Sequence, residues 1–189
     1  MPRPKPLHDP QVLRAIAHPV RNRILAELDA HGSLRAADLA RDLDIPANQA
    51  SFHLRQLAKY GLIVEDPDAA RDKRDRVWRV VNPEGFSVEM GEIERQPGGK
   101  AAARIFRQNQ RAWGHLVVDT VFSDTPAKGT QSTLTDSALL LTKEEASELS
   151  REIDELVQGW ADRTRAGGED RITYLYYAAI LAYPATVAD

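Results

Sequence analysis

Three residues, Asp44-Ile45-Pro46, place the strongest constraint on this chain because of what flanks them. Before them, Arg35 to Leu43 carries Ala36, Leu39, Ala40 and Leu43 at helical spacing. After them, Ala50, Leu54, Leu57 and Ala58 recur on one side of the run from Ala47 to Tyr60, and Gly61 is placed to stop it. The spacing predicts a short helix over 35–43 and a second over 47–60. Two such helices joined by a three-residue turn make a helix-turn-helix unit.

The second of these helices has an unusual outward face. If Ala50, Leu54 and Leu57 point inward, then Asn48, Gln49, Ser51, Phe52, Arg55 and Gln56 point out. Amide, hydroxyl and guanidinium groups are what base edges and phosphates in a major groove require. Arg55 suits a phosphate better than a base, since most protein–DNA hydrogen bonds go to the backbone. Two readings of Phe52 stand side by side, contact with a thymine methyl and packing under a neighbouring loop. His53 lies one place from a core position and reads as a partly buried structural histidine. Leu62 to Glu65 then starts a strand, and Val77 to Val81 returns. The loop between them, 66–76, interleaves Arg71, Lys73, Arg74 and Arg76 with Asp72 and Asp75. Strand, charged loop and strand after such a helix form a wing, whose cations either grip phosphates or are simply solvated.

Upstream, residues 1–8 are proline-rich and read as a loose arm whose Arg3 and Lys5 could touch DNA. A helix is expected over 9–17, with Val12, Leu13 and Ile16 on its apolar side. The His18-Pro19 step should break it. A second helix follows from Pro19 to the Gly32 stop. Downstream, Pro83, Gly85, Pro97, Gly98 and Gly99 mark 83–99 as a linker. A long helix over 100–122 carries one stripe of Ile105, Ala112, Trp113, Leu116, Val117, Thr120 and Val121. Residues 136–141 end in a β-prone run. Thr142 and Glu145 form a capping box opening a helix to about Arg165. Residues 171–183 are apolar on both alternating faces and read as a strand buried on both sides.

The expected architecture is therefore α+β and mainly helical. It comprises an arm (1–8), a winged helix-turn-helix domain (9–82), a linker (83–99) and a C-terminal dimerisation and effector region (100–189). Ile105, Trp113, Leu116, Trp160, Tyr174 and Tyr176 are the expected dimer and effector residues. A cavity lined by these aromatics would accept an apolar small molecule.

Composition removes several function classes. The 189 residues contain no cysteine, which excludes disulfides, thiolate metal sites and a cysteine nucleophile, and fits a cytoplasmic protein. No run approaches the ~18 apolar residues of a membrane span, and the N-terminus does not look like a secretory signal. There is no phosphate-cradling glycine loop, nucleophile elbow or helical histidine pair, so no catalytic residue, cofactor or metal is assigned and no enzyme is expected. His115 and Asp119, one turn apart, are two ligands where a structural zinc site wants four. Net charge is −3, but it divides into +3 over residues 1–81 and −6 over 82–189. The cationic part is the one with the outward polar helix.

The first ~82 residues resemble the ArsR-type winged-helix repressors, in the branch without cysteine ligands. The resemblance rests on the Ala17-His18-Pro19-Val20-Arg21 corner, Ile24-Leu25, Leu39-Ala40, and Ser51, His53-Leu54, Leu57 and Gly61-Leu62. It implies a homodimer that binds double-stranded DNA at a palindromic operator and represses transcription. It also implies a dimer contact through the terminal helices, here the first helix and that over 100–122. Two other readings stay open: a sensor whose C-terminal part binds an effector or a protein, and a winged helix that binds protein alone.

Overall fold

The computed structural model describes residues 5–71, 76–83, 85–124, 129–165 and 171–182. Strand β1 (Lys5–Leu7) leads into α1 (Pro10–Ile16) and α2 (Pro19–His31). The Asp9 carboxylate caps α1 by accepting the Gln11 N–H at 2.7 Å. His18 is extended, and Pro19 opens α2, so the proline step separates the helices as its chemistry requires. Then follow β2 (Ser33–Arg35), α3 (Ala36–Asp42), α4 (Ala47–Lys59) and β3 (Ile63–Glu65). A single 3-10 turn at Pro67–Ala69 precedes β4 (Val77–Val80), and β5 (Phe86–Val88), α5 (Met90–Arg95), α6 (Gly99–Val121) and α7 (Lys143–Thr164) complete the chain.

The turn between α3 and α4 is tight. Asp44 takes a positive φ of 51°, and the Ile45 N–H returns to the Ala40 carbonyl at 3.0 Å. Gly61, at φ 67°, closes α4, and the Leu62 N–H returns to the Leu57 carbonyl at 3.1 Å. β4 lies between β2 and β3, antiparallel to both, with Ile63 opposite Val80 and Leu34 opposite Trp78. Leu28, Leu39, Leu54, Leu57, Leu62 and Trp78 belong to the core beneath these elements. A second, smaller core joins Leu13 of α1 and Ile93 of α5 to Ala102 and Ala103 of α6. Gly99 is required there, because a Cβ would overlap the Ile93 carbonyl.

Several expectations are corrected. Of the presumed loose arm, Lys5–Leu7 pairs in parallel with Phe86–Val88 and Leu7 is buried; residues 1–4 lie outside the described residues. The presumed linker 83–99 contains β5 and α5, because its apolar Phe86, Val88 and Ile93 find partners in α1 and α6 that no local pattern announces. Residues 171–182 form no strand and are exposed throughout, and so are 136–141. Their apolar side chains have no second layer in this subunit to bury them. The single stripe expected on α6 splits: Trp113, Val117 and Val121 are half-buried, whereas Ile105, Ala112, Leu116 and Thr120 are exposed, and the second core is met instead by Ala102, Ala103 and Phe106. The capping box is present as expected, Thr142 N–H to Glu145 at 2.7 Å and Glu145 N–H to Thr142 at 3.1 Å.

Candidate nucleic-acid interface

Helix α4 has the amphipathicity a reading helix needs. Ala50, His53, Leu54 and Leu57 are buried, and the helix packs on α2, α3 and β3. Asn48, Phe52, Arg55 and Lys59 form an exposed row at spacings of four, three and four residues. Gln49, Ser51 and Gln56 are half-buried and flank the row rather than crown it. The Asn48 carboxamide oxygen accepts the Gln49 N–H at 2.9 Å, a local contact near the helix start, where the Pro46 ring offers no side-chain acceptor. Arg55 extends into solvent. Phe52 is 50% exposed and turns its edge to His53, with ring centroids 5.3 Å apart, so its outer face is open to a partner.

His53 fits the structural reading. It is 4% exposed and packs at a tilt of 48° against His18, which stands at the start of α2, with centroids 4.6 Å apart. Neither Nδ1 finds a hydrogen-bond partner among the described residues. Burial lowers both imidazole pKa values; Arg21 lowers them further, and for His53 so does His18. Both shifts favour the neutral ring, and the pair sits where α4 meets the start of α2.

In the wing, Arg71 and Arg76 are exposed, Arg76 facing Glu65 at 3.6 Å. Lys73 and Arg74 lie outside the described residues. Two cations escaped the sequence reading. Lys59 extends the Asn48–Phe52–Arg55 row by one turn, a periodicity that was visible but masked by its closeness to the Gly61 stop. Arg79 is exposed on a strand whose Trp78 and Val80 are buried, the ordinary period-two alternation.

The expected dimer and effector residues divide. Ile105 and Leu116 are exposed on α6, away from the aromatic group. Trp113, Trp160, Tyr174 and Tyr176 line one cavity of about 910 Å³ between the end of α2, α6, α7 and the 171–176 segment. They do not form a core: Trp160, Tyr174 and Tyr176 are more than half exposed. The Thr173 hydroxyl holds this segment to α2, donating to Glu27 at 2.9 Å and lying 3.1 Å from His31. Arg165 anchors the end of α7 by donating to the Asp29 carbonyl at 3.3 Å. Burial raises the Asp29 pKa, and Arg165 works against that rise. His115 and Asp119 are exposed; the described trio with metal-ligand spacing is instead His8, Glu89 and Glu92, all on the surface, with His8 and Glu92 paired at 3.0 Å.

Residues 16–66 match a protein-family profile described as a helix-turn-helix domain. Comparison with curated protein sequences gives no match. Among solved structures, the chain is similar to the YusO protein of Bacillus subtilis at 15% identity and a TM-score of 0.35, covering 78% of this chain and 79% of that one. It is also similar to an apo mutant of ZitR from Lactococcus lactis (18% identity, TM-score 0.32, 76% and 83% covered). A third is the adhesin competence repressor of Streptococcus pyogenes (12%, 0.31, 76% and 81%). The matched domain and the strand–loop–strand that follows it define the class by fold: a mainly helical protein with an N-terminal winged helix-turn-helix domain. Among the described residues no helix is long and apolar enough to cross a membrane.

Proposed function

We propose that the protein is an ArsR-type, homodimeric, cytoplasmic repressor that binds a palindromic operator in double-stranded DNA. In this reading α4 enters the major groove and the wing flanks it. The observation that carries it is the open row Asn48, Phe52, Arg55 and Lys59 on a helix held rigidly from behind by Leu54 and Leu57. Gln49, Ser51 and Gln56 border the row and reach base edges or phosphates at its margins. Arg71, Lys73, Arg74 and Arg76 act on the backbone. Two-fold symmetry places two α4 helices on successive major grooves, about 34 Å apart or a multiple of that. Selection from random DNA at ~150 mM salt tests this, because backbone contacts alone are strongly screened under such conditions. The expected product is an inverted repeat; enrichment no better than random sequence overturns the proposal.

A second reading adds to the first and rests on the cavity bounded by Trp113, Trp160, Tyr174 and Tyr176. An apolar, planar effector seated there would bear on α2, which packs on α4. Such a ligand regulates only if it binds the DNA-competent and incompetent states with different affinity. Thermal-shift screening with planar aromatic compounds, followed by operator binding with any hit, tests it. The absence of any ligand that alters operator affinity removes this reading and leaves the first.

A further inference from the structure

The geometry points to Phe52 as the reader of a pyrimidine C5-methyl group in the major groove, with His53 behind it as a positioning residue. This assignment rests on the DNA-binding reading above and says what one position of the α4 row recognises. The other members of the row, Asn48, Arg55 and Lys59, are polar and exposed. On a helix surface the neighbours of a residue lie three and four places away. For Phe52 these are Asn48, Gln49, Arg55 and Gln56, three carboxamides and a guanidinium. The ring is thus a single apolar face, 50% exposed, bordered along the helix by hydrogen-bonding groups.

That pattern selects the occupant. A protein that docks through apolar contact needs a contiguous apolar patch, and α4 sets no second apolar side chain beside Phe52 on this face. The major-groove edge of duplex DNA has the matching pattern. It carries donors and acceptors on every base pair and one apolar projection, the C5-methyl of thymine. 5-Methylcytosine carries the same group at the same ring position. The chemistry recognised is therefore a 5-methylpyrimidine.

An exposed phenylalanine discriminates best when its ring is already held, because a freely turning ring loses rotamer entropy on each contact. Here the ring meets His53 edge to face, at an interplanar angle of 69° with centroids 5.3 Å apart. His53 is itself fixed by burial and by His18, whose ring centroid lies 4.6 Å away. Three rings thus run from the start of α2 to the outer surface of α4. Phe52 belongs to neither core, so α4 does not need it to fold.

Fluorescence-anisotropy titration of the full chain tests the assignment, with the selected inverted-repeat duplex as probe. Each thymidine is replaced in turn by deoxyuridine, which removes one methyl group and leaves the hydrogen-bonding edge unchanged. At one position in each half-site wild type should lose about fourfold in affinity, the worth of one buried methyl group. Phe52→Ala should bind both duplexes equally. At the same position a 5-methylcytosine·guanine pair should bind about fourfold tighter than cytosine·guanine. Discrimination in the uracil arm alone supports the contact with thymine as its source. His53→Leu keeps apolar bulk but removes the ring partner, and should lower the discrimination, whereas His53→Phe should keep it. Wild-type binding that ignores every methyl group, or a Phe52→Ala variant that still senses the same one, overturns the assignment while the DNA-binding reading stands. Full discrimination by His53→Leu overturns the positioning role of His53. A chain with no preference for any sequence overturns both the assignment and the reading beneath it.

Discussion

The stretch up to Ala103 and the stretch after it solve the burial problem differently. Leu7 to Ala103 contains every buried residue described, in two cores that tie α1 to α5 and place β4 beneath α4. Beyond Ala103 the described chain is as apolar in places, with Leu116, Phe122, Leu140, Leu156, Trp160 and Tyr176 all exposed, yet buries nothing. The winged helix-turn-helix portion is complete as one subunit. The C-terminal portion is amphipathic and, though tied to α2 through Thr173 and Arg165, leaves much of its apolar surface open; exposed apolar surface on that scale marks an interaction site. The proposed reading surface on α4 and the open apolar surface after Ala103 are thus separated along the chain.

The sharpest way to break that contrast is to cut equivalent leucines. Leu57→Ala, at a fully buried site, should cost ~2–5 kcal/mol in chemical denaturation. Leu156→Ala should cost ~0.5 kcal/mol or less in dilute protein, as surface substitutions do. If the C-terminal face is covered by a partner, the Leu156 effect must grow with protein concentration. Equal, concentration-independent losses at both sites would erase the distinction.

Next in size is Gly99→Ala. Alanine ordinarily favours a helix, but here its Cβ would overlap the Ile93 carbonyl. A loss of ~1–3 kcal/mol is expected from the forced backbone shift. A gain in melting temperature would show that the α5–α6 junction is loose enough to admit a methyl group.

A smaller effect is expected on the reading face. Arg55→Ala should weaken operator and random DNA alike and lower the salt slope by ~1 if Arg55 contacts one phosphate. An unchanged slope with relaxed sequence preference would move Arg55 from the backbone to a base edge.

The gentlest test is pH. His18 and His53 have folded pKa values below the ordinary 6.5, chiefly through burial. The unfolded chain therefore binds more protons than the native one just below that value, and stability falls as pH drops through 6.5. Above it, both rings are neutral in either state and their contribution is flat. His53→Phe should flatten the acid limb of the stability curve; an acid limb as steep as wild type would place the responsible groups elsewhere.

Which features could be foreseen follows from the range of the forces behind them. The His18-Pro19 break, the Gly61 stop and the Thr142–Glu145 box depend on atoms within a few residues, and all three were legible. The burial of Leu54 and Leu57 followed from periodicity, as did the exposure of Asn48 and Arg55. Gln49, Ser51 and Gln56, expected to face outward, are half-buried at the margins of the row, because a helical wheel does not know how wide its neighbours are. β1 and β5 could not be foreseen, since Lys5 and Phe86 pair across the whole intervening winged domain. Residues 171–182 misled for the opposite reason: their apolar alternation is real, but a strand needs a ladder and a covering layer, and neither is present in one subunit.

Local chemistry, then, determined the helices, their ends and the composition of the outward row on α4, because dihedral preference, capping and side-chain period act within a turn or two. Only the tertiary structure decided that Phe86–Val88 closes onto Lys5–Leu7, that His53 packs against His18, and that four aromatics surround a cavity instead of filling a core. Those outcomes depend on distant surfaces meeting, and the entropy of bringing them together is offset only when the whole apolar interface forms at once.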